Sequence, residues 1–194
     1  MSIADANRTI VIGENPFIRQ SPTDGAPNST DASFWRVFWS PAGPGHVLYM
    51  KSELTGADWR IWSDNIAMAR WLQNTVQGML NPALLDTSLP VTEAGFAAPE
   101  GDPRISWTER LSAHGEEISL TWYEIGDPLL LHSQPHQVPG RQYGLCTQLV
   151  PALGTRLTRN GVQAAGRSWP REREGRAFST SALAFAESWT ETRG

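Results

Sequence analysis

The chain has very few thiols: Cys146 is the single cysteine among its 194 residues. One cysteine excludes an intramolecular disulfide and any metal site built from several thiolates. The sequence also lacks the phosphate-binding patterns G-x-x-x-x-G-K-[ST] and G-x-G-x-x-G, and it lacks the nucleophile motif G-x-S-x-G. These absences argue against the common nucleotide cofactors and against a serine hydrolase. We therefore predict that the protein uses no cofactor.

Long hydrophobic runs are missing as well. No stretch approaches the roughly 18 apolar residues that a membrane-spanning helix needs. The first residues show no basic segment followed by an apolar one, so we expect no signal peptide. A net charge of -4 and a pI near 5.6 argue against nucleic-acid binding. Together with the lone cysteine, these features predict a cytoplasmic protein that binds neither membranes nor nucleic acids.

Tryptophan, by contrast, is abundant, and four of the nine tryptophans lie between residues 31 and 65. This region begins a series of short aromatic and β-branched segments separated by Gly, Pro and Asp, which is typical of antiparallel strands. The Asn160–Gly161 pair between alternating flanks predicts a hairpin with a type I′ turn. Residues 8–13 could form a short edge strand, but residues 19–32 are rich in Pro, Gly, Ser and Asp, and we predict that residues 1–30 form an irregular N-terminal arm. Residues 31–194 then form a single β-rich domain.

The hydrophobic period changes once, after residue 63. Met68, Leu72, Val76 and Met79 recur every three or four residues, which predicts an amphipathic helix over about 64–80. Ser63 or Asp64 would cap its start, and Asn81 with Pro82 would end it. The fold class is therefore mainly β: an antiparallel meander with one main helix. Two architectures fit this pattern, a closed barrel that is lipocalin-like in architecture or a strongly curved sheet wrapped on the helix.

Three glutamates fall in register with strand faces that carry tryptophan. Assuming regular alternation, Glu187 shares a face with Phe185 and Trp189, Glu124 follows Trp122, and Glu109 follows Trp107. A carboxyl group among apolar side chains is desolvated, which raises its pKa and suits a general acid or base near neutral pH. The alternative is that each glutamate reaches water at a strand end or pairs with an arginine; Arg36, Arg60, Arg110 and Arg141 lie on nearby segments. Glu124 is the first candidate and Glu187 the second.

The histidines support a weaker hypothesis. His132 and His136 are four residues apart, but Pro135 interrupts the helical spacing that would make them a metal-binding pair. A metal site would also need distant ligands, so we assign no metal ligands. His132 is instead a candidate second acid or base, and Tyr123 is a candidate donor to a developing oxyanion.

These candidates lead to one main functional hypothesis, a cofactor-independent acid/base enzyme of the isomerase, lyase, hydratase or cyclase type. Its substrate would be a small apolar or aromatic molecule in a tryptophan-lined barrel pocket. The alternatives are a non-catalytic carrier of hydrophobic ligands and a metal-dependent enzyme that uses His132 and His136. A homo-oligomer with indoles at its interface is also considered. The expected ligand-binding residues are Trp35, Trp39, Tyr49, Trp107, Trp122, Phe185 and Trp189.

Overall fold

The computed structural model describes residues 8–173 and 175–192, and it is mainly β. The longer strands are β1 (Arg8–Glu14), β3 (Thr30–Trp39), β4 (Gly45–Ser52), β5 (Trp59–Ser63), β9 (Ser106–Ala113), β10 (Glu116–Ile125), β11 (Leu129–Ser133), β12 (Gly144–Arg159) and β16 (Ser181–Glu191). The shorter strands are β2 (Phe17–Gln20), β6 (Val91–Glu93), β7 (Gly95–Phe96), β8 (Glu100–Asp102), β13 (Val162–Gln163), β14 (Pro170–Arg173) and β15 (Arg176–Ser179).

Fourteen of these strands form one large, strongly curved sheet. Its main order is β6-β5-β4-β3-β1-β16-β12-β10-β9-β7. Neighbours pair antiparallel except β5 and β6, which are parallel. Strand β2 continues β1 and pairs with both β3 and β16, while β14 and β15 form a separate hairpin. Of the two predicted architectures, the structure therefore has the strongly curved sheet.

One short segment bridges the two ends of this sheet. Its first part, β6, pairs with β5, and its second part, β7, pairs with β9. The amide of Ala94, between them, donates to the carbonyl of Ser63, and the amide of Ala97, just after β7, donates to the carbonyl of Arg110. The segment lies within residues 81–103, where the sequence holds four prolines and little hydrophobic periodicity. Because its partners are far away in the chain, local sequence does not indicate the pairing.

The predicted hairpin turn at Asn160 and Gly161 is confirmed. Both residues have positive φ, 51° and 78°, as a type I′ turn requires, and β13 pairs back onto β12. His114 and Gly115 form the turn between β9 and β10 with φ of 49° and 82°. These turns match the right-handed twist of the flanking strands and set the register of each hairpin.

The single long helix, α1, covers 66–80 and confirms the prediction. It consists of an α-helical part (Ile66–Leu72), a π-helical turn (Gln73–Gln77) and a last turn (Gly78–Leu80). Its N-cap is Asn65, whose side chain accepts from the amide of Met68 at 3.1 Å, rather than Ser63 or Asp64. Within the described residues, no helix has both the length and the apolar character needed to cross a membrane.

Both faces of the curved sheet are buried over much of its area. Neighbouring residues of β3 show this, because Phe34 packs in one cluster and Trp35 in another. The first cluster, the inner core, fills the concave side of the sheet and includes Trp62, Trp122 and Leu183. The second, the helix core, packs α1 against the other side. A third, small cluster joins Leu129, Leu149 and Ala184.

The N-terminal segment differs from its predicted irregular form. Strand β1 lies in the middle of the sheet between β3 and β16, and Ile10 and Val11 are buried there. Residues 8–20 therefore form part of the sheet, not an arm beside it. The segment 129–133, which the sequence shows only as a short apolar run within a loop, is strand β11.

Candidate functional site

The three glutamates expected beside tryptophan have three different environments. Glu187 is 3% exposed and Glu109 is 1% exposed, whereas Glu124 is exposed to solvent. Both buried carboxylates accept a hydrogen bond from an indole N–H, Glu187 from Trp189 and Glu109 from Trp107. Of the two buried carboxylates, Glu187 lines a pocket, whereas Glu109 pairs with Arg36, so Glu187 is the centre of the candidate site.

A β-bulge in β16 directs the Glu187 side chain into this pocket. In the pairing of β12 with β16, Cys146 faces Ser188 and Gln148 faces Phe185, so Ala186 and Glu187 together oppose Thr147. Ala186 has a φ of 50°, the left-handed conformation that accommodates the extra residue.

The bulge corrects the expectation that Phe185, Glu187 and Trp189 share one face. Phe185 packs against the inner core, whereas Trp189 packs in the helix core. The inserted residue reverses the alternation, which places Glu187 on the same side of the sheet as Trp189.

Neutral polar side chains surround the Glu187 carboxyl group. The indole N–H of Trp189 donates to Oε1 at 2.7 Å. The side chains of Thr147, on β12, and Asn15, between β1 and β2, lie near the carboxyl group and lower its pKa, while the Thr147 hydroxyl donates to the carbonyl of Phe185 at 3.3 Å. These three groups come from separate segments and surround the carboxyl group without neutralising it.

Burial raises the pKa of the Glu187 carboxyl group to about 7. Desolvation is the largest cause, because removing the charged form from water is costly. The hydrogen bond from Trp189, the nearby side chains of Thr147 and Asn15, and the positive charge of Arg141 each lower the pKa, but together they do not offset burial. Both protonation states of Glu187 are therefore populated at neutral pH.

A buried polar chain connects Asn15 to helix α1. The hydroxyl of Ser33 lies 2.7 Å from Asn15 Oδ1 and 3.3 Å from Gln77 Oε1. The indole N–H of Trp35 donates to the same Gln77 oxygen at 2.9 Å. Gln77 closes the π-helical turn, a feature frequent at functional sites. The network orients the Asn15 amide so that its N–H groups face Glu187.

The Glu187 pocket has a volume of about 340 Å³. This is at the small end of the range of about 300–1,000 Å³ typical of ligand pockets. Apolar groups from β2, β11, β12, β15 and β16 form its walls, among them Phe17, Leu131, Leu145, Phe178 and Trp189. Its lining therefore combines apolar walls with one buried carboxyl group and several neutral polar side chains, among them the buried Asn15, Thr147 and Ser179.

Glu109 has a structural partner instead of a pocket. Nη2 of Arg36 donates to both oxygens of Glu109, at 2.8 and 2.9 Å, and Nη1 donates to Glu14 at 2.6 Å. Burial raises the pKa of Glu109, and the positive charge of Arg36 opposes that rise. The network links β9 to β1 and β3, strands far apart in the sheet order. It is the arginine pairing that the sequence leaves open as an alternative.

The other predicted catalytic residues lie away from Glu187. Glu124 has a φ of 53°, which breaks the strand alternation, so its side chain reaches solvent and does not follow Trp122 inward. It lines a separate cavity of about 410 Å³ on the other side of Phe178. Tyr123 is 40% exposed on β10 and His132 is exposed on β11. None of these three residues lines the Glu187 pocket.

The seven aromatic residues predicted to bind ligand are divided among different environments. Trp122 is fully buried in the inner core, and Trp107 and Phe185 pack against that core. Trp35, Tyr49 and Trp189 belong to the helix core, and Trp39 is 47% exposed. Only Trp189 lines the Glu187 pocket. Most of these aromatic side chains therefore pack in the protein interior and do not line the pocket.

Histidines contribute little to the candidate site. His46 Nδ1 lies 2.6 Å from Asp64 Oδ2, next to a wide surface depression, and the two side chains are about a third exposed. Within the residues that the structure describes, no group of three or more His, Cys, Asp or Glu side chains could hold a metal ion. The described residues therefore offer no further ligands to complete a metal site at His132 and His136.

Sequence reasoning missed the residues that surround Glu187. Asn15 lies in the segment predicted to be an irregular arm, and Arg173 ends β14, which the sequence shows only as a charged turn. Arg141 is identified from the sequence only as one of four arginines that could pair with a glutamate. Asn15 and Thr147 carry no local signal, because the fold alone brings them to Glu187. The run "PREREGR" alternates arginine with glutamate, so its net charge does not by itself predict a positively charged rim.

Comparison with models of protein families, with curated proteins and with solved structures gave no match.

Proposed function

We propose that this protein catalyses a proton transfer on a small, largely apolar molecule bound beside Glu187. The single observation that carries the proposal is a carboxyl group that is 3% exposed, has a pKa of about 7 and lines a pocket of about 340 Å³. A group with a pKa near the working pH exchanges protons in both directions most effectively. Perturbed groups of this kind cluster at functional sites.

In this mechanism Glu187 takes a proton from the substrate and returns it at another position, or to the product. Trp189, Thr147 and Asn15 position the carboxyl group and favour its charged form as the proton leaves. The apolar walls exclude water and orient the substrate. Isomerisation, elimination, hydration and cyclisation all need such a step, and they are the reaction classes that we propose.

Solvent exchange tests the proposal without a known product. A set of small apolar carbon acids is incubated with the protein in D₂O, and loss of each C–H signal is followed by proton NMR. General acid/base catalysis contributes about 10²- to 10⁴-fold, so Glu187→Gln should slow the exchange by about that factor.

Glu124→Gln is the matched control, because it makes the same change at an exposed glutamate in the neighbouring cavity. Undiminished exchange in the Glu187→Gln variant would refute the proposal, and loss in the Glu124→Gln variant would transfer the role to Glu124.

A non-catalytic binding protein is the second candidate. One observation favours it: the Glu187 carboxyl group already accepts a hydrogen bond from Trp189 and lies near Thr147 and Asn15, so it has polar partners without a substrate. A binding protein would retain its ligand affinity in the Glu187→Gln variant at neutral or lower pH and would catalyse no exchange.

Self-association remains a separate proposal. Trp39 and Ile12 are paired across β3 and β1 and are 47% and 42% exposed, which leaves an apolar pair on the surface. Light scattering of the protein and of a Trp39→Ser variant would measure whether this pair supports an oligomer.

A further inference from the structure

The charged side chains that line the Glu187 pocket are mostly positive. Four arginines line it, from β2, the loop before β12 and β14: Arg19, Arg141, Arg171 and Arg173. Among its described lining residues, Glu187 is the only acidic group. While Glu187 is protonated, the pocket lining therefore carries positive charge and no negative charge.

Two of these arginines have protein partners and two do not. Arg171 pairs with Asp24 at 2.7 Å, and Arg19 lies 3.6 Å from Asp31 and over the ring of Phe17. For Arg141 and Arg173, no ion pair or side-chain hydrogen bond is found within residues 8–173 and 175–192.

The Arg141 guanidinium is the more informative of the two. It is half-buried, whereas Arg173 is exposed, and it is close enough to Glu187 to lower the pKa of that carboxyl group. A partly desolvated cation without a partner is costly unless an anion neutralises it.

Apolar side chains make up much of the remaining lining, alongside the neutral polar residues Asn15, Asn28, Thr147, Ser179 and Thr180. Leu131, Leu145 and Leu149 form one wall, and Phe17 and Phe178 contribute rings. Glu187 is the most buried charged group of the lining, at 3% exposed, and the arginines are more exposed. The lining therefore combines partly exposed cations, an apolar wall and one buried carboxyl group.

We infer that the ligand of this pocket is a small amphipathic anion, a monocarboxylate with a short apolar body, whose carboxylate pairs with Arg141. Its apolar body lies along the leucine wall and its far end reaches Glu187. Guanidinium groups bind carboxylates through paired, charge-assisted hydrogen bonds, and Arg173 lies at the same rim to assist. The inference rests on the proposed function, because it takes the Glu187 pocket as the substrate site.

Ionisation of Glu187 should make the affinity for the anion depend on pH. The groups facing Glu187 are Asn15, Thr147, Trp189 and Arg141, and the described lining contains no histidine. The arginines keep their charge throughout, so Glu187 is the lining group that titrates near neutrality. Two like charges about 8 Å apart, at an effective dielectric constant of about 20, repel enough to weaken binding roughly 30-fold. Affinity for the anion should therefore fall as the pH rises through about 7.

Binding of matched probes tests the inference. Phenylacetate, 3-phenylpropionate and 4-phenylbutyrate are compared with their uncharged amides by calorimetry and ligand-observed NMR. At least one carboxylate should bind with a Kd at least ten times lower than that of its amide, and this Kd should be about 1 mM or lower. Arg141→Gln should remove that preference and Arg173→Gln should reduce it. Arg156→Gln, which makes the same change at an exposed arginine of β12, should leave it intact.

Equal binding of acid and amide would overturn the inference. So would a preference for the acid that survives in an Arg141→Gln variant with the parent's circular dichroism spectrum. A Kd weaker than about 10 mM for all three acids would overturn it as well. The proposed function can fail separately. If the acids bind through Arg141 but no compound exchanges its protons, the protein is an anion-binding protein. If neutral compounds exchange in a Glu187-dependent way and Arg141→Gln has no effect, the enzyme proposal holds and the anion inference falls.

Discussion

Replacing Glu187 by Gln should change how the free energy of unfolding depends on pH. The folded-state pKa is about 7, compared with an ordinary value of 4.5. Between these two pH values the folded protein keeps a proton that the unfolded chain has released. The stabilisation from protonated Glu187 is therefore fully present below about pH 4.5 and is lost as the pH rises through about 7.

The structure also sets the size of this effect. The difference between 4.5 and about 7 corresponds to about 3 kcal/mol, at about 1.36 kcal/mol for each pH unit. Since Glu187 is 3% exposed, solvent screening reduces this figure little. Glutamine resembles the protonated acid in shape and stays neutral at every pH. The variant should therefore match the parent near pH 4.5 and exceed its stability by up to about 3 kcal/mol above pH 8.

Urea unfolding followed by tryptophan fluorescence measures this difference. Melts of the parent and of Glu187→Gln are compared at intervals between about pH 4.5 and 8.5, with the denaturant slope checked at each pH. Glu109 also has a raised pKa, but it titrates in both proteins and cancels from the difference. A stability difference that does not vary with pH would refute the reasoning, because Glu187 would then ionise alike in the folded and unfolded states.

Three further substitutions test the framework around the site. Arg36→Gln should lower the free energy of unfolding by about 3–5 kcal/mol in urea melts, because it leaves Glu109 buried without its cation. Tyr49→Phe should lower the free energy of unfolding by about 1 kcal/mol at neutral pH, because the Tyr49 hydroxyl donates to the carbonyl of Ala69 at 2.6 Å. It should leave probe binding unchanged. Gly13→Ala should lower the melting temperature markedly, because a Cβ there would overlap the backbone carbonyl of Arg36.

Local sequence patterns predicted the elements whose determinants lie close together in the chain. The period of Met68, Leu72 and Val76 places helix α1, and Asn160 with Gly161 places a hairpin turn. The same patterns also indicate that glutamates lie among indoles. These features need only the chain's own alternation and turn chemistry, so they are visible without the fold.

The remaining features of the fold and the site depend on contacts between residues that lie far apart in the chain. Strand β1 belongs to the sheet because β3 and β16 flank it, and neither partner is near it in sequence. The bulge at Ala186 arises where β16 meets β12, and one inserted residue moves Glu187 to the opposite face. Likewise, Asn15 and Arg141 reach Glu187 only through the fold, so no local pattern predicts the site's composition.

The ionisation of Glu187 can be measured directly by carbon NMR of the protein labelled with ¹³C at the glutamate side-chain carboxyl. One resonance should disappear in the Glu187→Gln variant, which assigns it. That resonance should titrate at about pH 7, well above the ordinary value of 4.5. If it titrates near 4.5 instead, Glu187 is solvated and charged at neutral pH, and both the proton-transfer role and the pH-dependent anion site are contradicted.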